Sequence, residues 1–164
     1  MTPELQRPVA LDRIGPQGTA LAVDAEPGEL PAIAARLRLV ALASLHCAFK
    51  LRRVGSTTIE AEGALRARVT ETCVVTLDTF EHDVAEAFTV HFVPAGFEDD
   101  DPDPEAIDQI PFDGGSVDIG EAAVEQLALA LDPYPRKPGA ALPPDLAAEP
   151  DGPFAVLLAS RARE

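Results

Sequence analysis

Residues 42–70 constrain the fold more than any other part of the chain. In "LASLHCAFKLRR" the residues alternate, with Ala43, Leu45, Cys47, Phe49 and Leu51 on one face and Ser44, His46, Ala48, Lys50 and Arg52 on the other. "TIEAEGALRARVT" alternates as well, setting Ile59, Ala61, Gly63, Leu65, Ala67 and Val69 against Glu60, Glu62, Arg66 and Arg68. Val54-Gly55-Ser56-Thr57 lies between them and supplies a turn. Both apolar faces lie on the same side only if paired residue numbers total an even value, and a loop at Gly55–Thr57 makes that value 112. This register sets Phe49 over Gly63, Arg52 opposite Glu60 and Lys50 opposite Glu62. Arg66 and Arg68 then face His46 and Ser44, with no acid opposite them on that strand.

The rest of the chain arranges itself around this hairpin. "EHDVAEAFTVHFV" reads as a third strand, with Val84, Phe88, Val90 and Phe92 on one face, giving an antiparallel meander. The first 25 residues read as short edge strands broken at Gly15-Pro16 and Gly18. "EPGELPAIAARLRL" predicts a short helix with Pro31 in its first turn and Leu30, Ile33, Ala34 and Leu37 on one face. A second helix is predicted in "SVDIGEAAVEQLALALDPY", capped by Asp118 with Glu121 completing a capping box, and stopped by Pro133 and Pro135. "DGGS", Asp113–Ser116, reads as a turn into it.

The fold class expected is α+β, an antiparallel sheet packed by two or three helices. It is read as one domain over residues 1–164 with its core at about 25–135. An acidic loop is expected at 94–112, a Pro-rich tail at 133–153, and a C-terminal anchor, a short helix or extended, at 153–164. With 5% aromatic residues and no Trp, the core must come mainly from Ala, Leu and Val.

Charge narrows the function. Residues 1–70 hold nine Lys or Arg and seven Asp or Glu, whereas residues 71–135 hold seventeen Asp or Glu and no Lys or Arg. An overall charge of −15 argues against a wholesale nucleic-acid binder and invites basic protein partners. No apolar run approaches the roughly 20 residues of a membrane span, and the N-terminus carries no signal pattern, so a cytoplasmic protein with reduced thiols is expected.

Catalytic chemistry finds little footing. Cys47, Cys73, His46, His82 and His91 are potential metal ligands, but "CVVT" puts Thr76 where a second Cys of a zinc pair belongs. No serine lies in a nucleophile elbow, and the carboxylates crowd a solvated stretch where their pKa values stay ordinary. No enzyme, metal, cofactor or small-molecule substrate is expected. Two surfaces remain. Lys50, Arg52, Arg66 and Arg68 form a candidate basic face, with Arg36 and Arg38 nearby in sequence and Glu60 and Glu62 neutralising part of it. In "LDPYPRKPGA" a helix stop accounts for the prolines but not for Tyr134 beside Arg136 and Lys137, and Tyr and Arg are favoured interface anchors.

Taken together, "EGALRARVTETCVVTLDTF", "HFVP", the acidic stretch, "VDIGEAAVEQLALALDPYPRKPGA" and "PFAVLL" resemble the YceD-type family, in its alphaproteobacterial form, from about residue 25 to the C-terminus. The matched positions are Gly63, Cys73, Leu77, Asp118, Glu121, Glu125, Gln126, Leu129, Leu131, Pro133, Tyr134 and Pro135. Many members carry Cys-x-x-Cys where this chain has Cys73 to Thr76, a departure that removes a thiol pair. The resemblance implies a bacterial cytoplasmic factor needed for large-subunit ribosomal RNA to accumulate, and no catalytic residue. The expected partners are a ribosomal protein or assembly factor of the large subunit, with a direct contact to its RNA left open and no membrane. A pure adaptor, holding a basic client through the acidic loop without touching RNA, is the alternative.

Overall fold

The computed structural model describes residues 4–97 and 106–141. Residues 98–105 of the expected acidic loop, the Pro-rich tail beyond 141 and the C-terminal anchor lie outside the described residues. The architecture is α+β: a mostly antiparallel five-stranded sheet, a two-stranded ribbon and two α-helices. In chain order these are β1 (Pro8–Ala10), a 3-10 turn (Leu11–Arg13), β2 (Thr19–Asp24), α1 (Leu30–Leu37), β3 (Ala41–Val54) and β4 (Thr58–Thr72). There follow β5 (Thr79–Pro94), β6 (Asp108–Phe112), β7 (Ser116–Asp118) and α2 (Ile119–Ala130). No helix among the described residues is long and apolar enough to cross a membrane.

The β3–β4 hairpin has the register expected from alternation, with Phe49 opposite Gly63, Lys50 opposite Glu62 and Arg66 opposite His46. Its loop turns at Gly55, whose φ of 69° suits a residue without a side chain. The alternation fails at one place. A bulge between Leu42 and Ser44 shifts the register, so Leu42 is buried and Ala43, expected on the apolar face, is exposed.

The meander expectation needs one correction. β2, β3, β4 and β5 pair antiparallel in that order, but β6 joins β5 in parallel. It lies inside the stretch expected to be loop, because Ile110 and Phe112, two apart, can half-bury on one side of a short strand. Pro111 is tolerated there because β6 is an edge.

Odd-numbered residues of β3, from Leu45 on, and of β4 form the inner face, and α1 and α2 cover it. Ile33 and Ala34 of α1 and Ile119, Ala123, Val124 and Leu127 of α2 meet Leu45, Phe49, Leu51, Ile59, Leu65 and Val90 in one core. Leu5, Ile14 and Val23 are buried in the same core, so it begins well before residue 25. Leucine, valine, isoleucine and alanine dominate it, as the low aromatic content requires.

Asp118 caps α2, its Oδ1 accepting from the amides of Gly120 at 2.9 Å and Glu121 at 3.2 Å. Glu121 does not complete the capping box. Its carboxylate instead pairs with Arg36 of α1, whose guanidinium also holds Glu4. The Asp118 carboxylate also accepts from the Arg7 amide, so the cap fastens the N-terminal segment to α2.

Candidate interaction surface

The outer face of the sheet is solvent-facing. Strand pairing brings Lys50, Arg52, Arg66 and Arg68 onto it together with Asp24, Glu60, Glu62, Glu81 and Asp83, four cations against five carboxylates. Arg52 pairs with Glu60 at 2.5 Å, and Arg68 is shared between Glu81 at 2.6 Å and Asp83 at 3.0 Å. Arg52 and then His91 hold the Glu60 carboxyl below its ordinary value, while Glu81 and Asp83 raise the Arg68 guanidinium. Lys50 and Arg66 make no ion pair among the described residues. They stand on either side of a row of four exposed alanines, Ala22, Ala48, Ala64 and Ala87, that crosses four strands in register. Arg36 and Arg38 belong to the other layer, at the C-terminal end of α1, and do not extend this face. The acids that hold Arg68 come from β5, whose register with β4 the reading of β3 and β4 could not supply.

The helix-stop segment is anchored rather than free. After Leu131 leaves the helix in extended geometry, the Tyr134 amide donates to Asp132, and the Val74 amide donates to the Pro135 carbonyl at 3.0 Å. Lys137 stands 3.6 Å from Asp78, so the segment lies along the β4–β5 turn. Tyr134 is left 70% exposed, and Arg136 is exposed with no ion pair among the described residues. Beside it a groove of about 520 Å³ runs between α1 and α2, with Leu37, Val40, Leu131, Pro133 and Pro135 in its walls and Arg38 and Glu71 among its charged lining. Leu77, exposed in the same turn, has a φ of 60°, a left-handed conformation that costs a leucine about 1 kcal/mol.

The thiols and imidazoles lie apart. Cys47 is buried on the inner face of β3, where burial pushes its thiol up to about 12. Cys73, in the β4–β5 turn, is held down to about 7 by a side-chain hydrogen bond with Thr76 and by backbone amides of Lys137, Thr76 and Val75. His46, His82 and His91 each pair with a carboxylate, Asp24, Glu71 and Glu60 respectively. Among the described residues no group of three such side chains is placed to hold a metal ion. Asp118, Glu121, Gln126 and Leu131, in α2 and at its two ends, serve the cap, the Arg36 pair and packing, and Gly63 makes room for the Phe88 ring. Burial and the neighbouring Glu121 raise the Glu125 carboxyl.

Residues 61–153, more than half of the chain, match the family described as large ribosomal RNA subunit accumulation protein YceD. No curated protein and no solved structure matches the chain.

Proposed function

The chain belongs to the YceD family, and from that membership we propose that it is a non-enzymatic factor supporting accumulation of large-subunit ribosomal RNA. In this reading it works in the cytoplasm by holding a basic ribosomal protein or assembly factor. The observation that carries the choice of partner is the run from residue 71 to 135, with seventeen carboxylates and no lysine or arginine. Such a field attracts basic protein and repels nucleic acid.

A direct contact with RNA phosphate is the second reading, supported by Lys50 and Arg66, which are exposed and unpaired among the described residues. Arg52 and Arg68 support it less, because carboxylates already hold them. Tyr134 and Arg136, presented beside the groove between α1 and α2, offer a further anchor for a partner protein.

The test is the ratio of mature large- to small-subunit ribosomal RNA in cells with and without the protein. A selective fall of the large RNA is expected on its loss. An unchanged ratio with altered growth would instead favour an adaptor serving a client outside ribosome assembly.

A further inference from the structure

β5 spans 16 residues, and β6 covers only its last part, from Val90 to Pro94. Backbone parity identifies the groups left over. The Val40 amide donates to Thr70 and the Cys73 amide to Asp78, so even residues of β4 turn their backbone toward β3 and odd ones toward β5. In the β4–β5 register those odd residues meet even residues of β5. The odd residues of β5 therefore turn their N–H and C=O groups away from the sheet. Between Thr79 and Ala87 these outward groups have no backbone partner among the described residues. An edge of this length is a template for another strand.

The side chains on its outer face, from Thr79 to Ala87, are small or acidic. Ala85 and Ala87 leave the backbone approachable. Glu81 and Asp83 share the single Arg68. Glu86, exposed on the inner face opposite Leu65, has no ion pair among the described residues and stands between Val84 and Phe88.

We propose that this edge of β5 docks an extended basic segment of a partner protein, added as a strand in line with β6. The backbone ladder supplies the pairing. A lysine or arginine of the segment lies beside Glu86, and its apolar neighbours lie against Val84 and Phe88. The proposal rests on the reading of a basic protein partner and assigns it a surface. RNA does not suit the edge, since carboxylates flank it and phosphate offers no donor to the ladder's outward carbonyl groups. A second copy suits it poorly, because antiparallel pairing of two such edges brings six carboxylates together with only two Arg68 side chains to offset them.

The test uses the full chain and a synthetic peptide about as long as the free edge, in which one strand face alternates valine and lysine, to meet Val84, Glu86 and Phe88, and the other carries lysine, to meet Glu81 and Asp83. Amide hydrogen exchange is read with and without it. The outward amides of Glu81, Asp83, Ala85 and Ala87 are expected to slow roughly tenfold or more, while those of His82, Val84 and Phe88, already facing β4, stay unchanged. Ala85→Pro removes one outward N–H and leaves the β4 ladder intact, so it should weaken peptide binding roughly tenfold with little change in melting temperature. Glu86→Gln, which cannot disturb the backbone, should weaken it several-fold. Peptide binding that leaves the outward amides unprotected, or that both variants retain in full, overturns the proposal. So does protection that appears without peptide and grows with protein concentration, which would assign the edge to a second copy. If the edge fails while loss of the protein still lowers the large ribosomal RNA, the surface is wrong and the function stands.

Discussion

A Cβ added at Gly63 would lie 2.1 Å from the tip of the Phe88 ring. Strand register places Gly63 between Phe49 on β3 and Phe88 on β5, and the two rings meet edge to face across it at 5.7 Å and 75°. Glycine ordinarily weakens a strand, but here the missing side chain is the space the ring occupies. Gly63→Ala should therefore destabilise the protein by about 1–3 kcal/mol in chemical denaturation, as overpacking does. In a Phe88→Leu background the same change should cost clearly less, giving a coupling that a double-mutant cycle would read. Leu77 makes the opposite case. Its left-handed φ gains nothing from burial, since the side chain is 77% exposed, so Leu77→Gly should raise stability by up to about 1 kcal/mol.

Between elements, polar groups do much of the fastening. Asp118→Ala would strip the α2 amides and the Arg7 amide of their shared acceptor, with an expected loss of about 1–2 kcal/mol in thermal or urea unfolding. Glu4, Glu29 and Glu60 are each held below the ordinary 4.5 by an arginine: Arg36, Arg7 and Arg52. A carboxyl with a lowered folded pKa contributes stability above its unfolded pKa and loses it as pH falls through the folded value. Glu125, raised by burial, runs the other way, but it is one group against three. The melting temperature should therefore fall as pH drops below about 4.5. An Arg36→Met variant should show a shallower fall, having already lost the partner that holds the Glu4 carboxyl down.

The same scale shows what a sequence can disclose. Period-two alternation plus a glycine turn fixes the β3–β4 register because a one-residue slip would expose the whole apolar face. The bulge at Ala43 escapes, since an inserted residue leaves alternation intact on both sides. β6 escapes because five residues including a proline carry almost no pattern, and its parallel pairing exists only once β5 is in place. Arg68 looked free for a related reason: its acids lie on the far neighbour, β5, and are met only through a register the turn at 73–78 had not yet set.

For the whole molecule, the two readings of function differ in which charges must be used. If RNA is bound through the outer face, its unpaired cations are Lys50 and Arg66, so about two phosphates are neutralised. The logarithm of affinity should then fall against the logarithm of salt with a slope near −2 or shallower, far from that of a dedicated nucleic-acid protein. The protein-binding reading instead needs the acidic side and can spare both cations. Supplying cells that lack the protein with a Lys50→Glu/Arg66→Glu variant should accordingly restore the ratio of large to small ribosomal RNA. A Glu86→Lys variant should fold equally well, because that side chain is exposed and unpaired among the described residues, and yet fail to restore the ratio. The opposite pattern, with the cation variant inactive and Glu86→Lys active, would move the working surface to the outer face and make RNA the ligand. Melting curves of the two variants, matched to the parent, keep a folding defect from imitating either outcome.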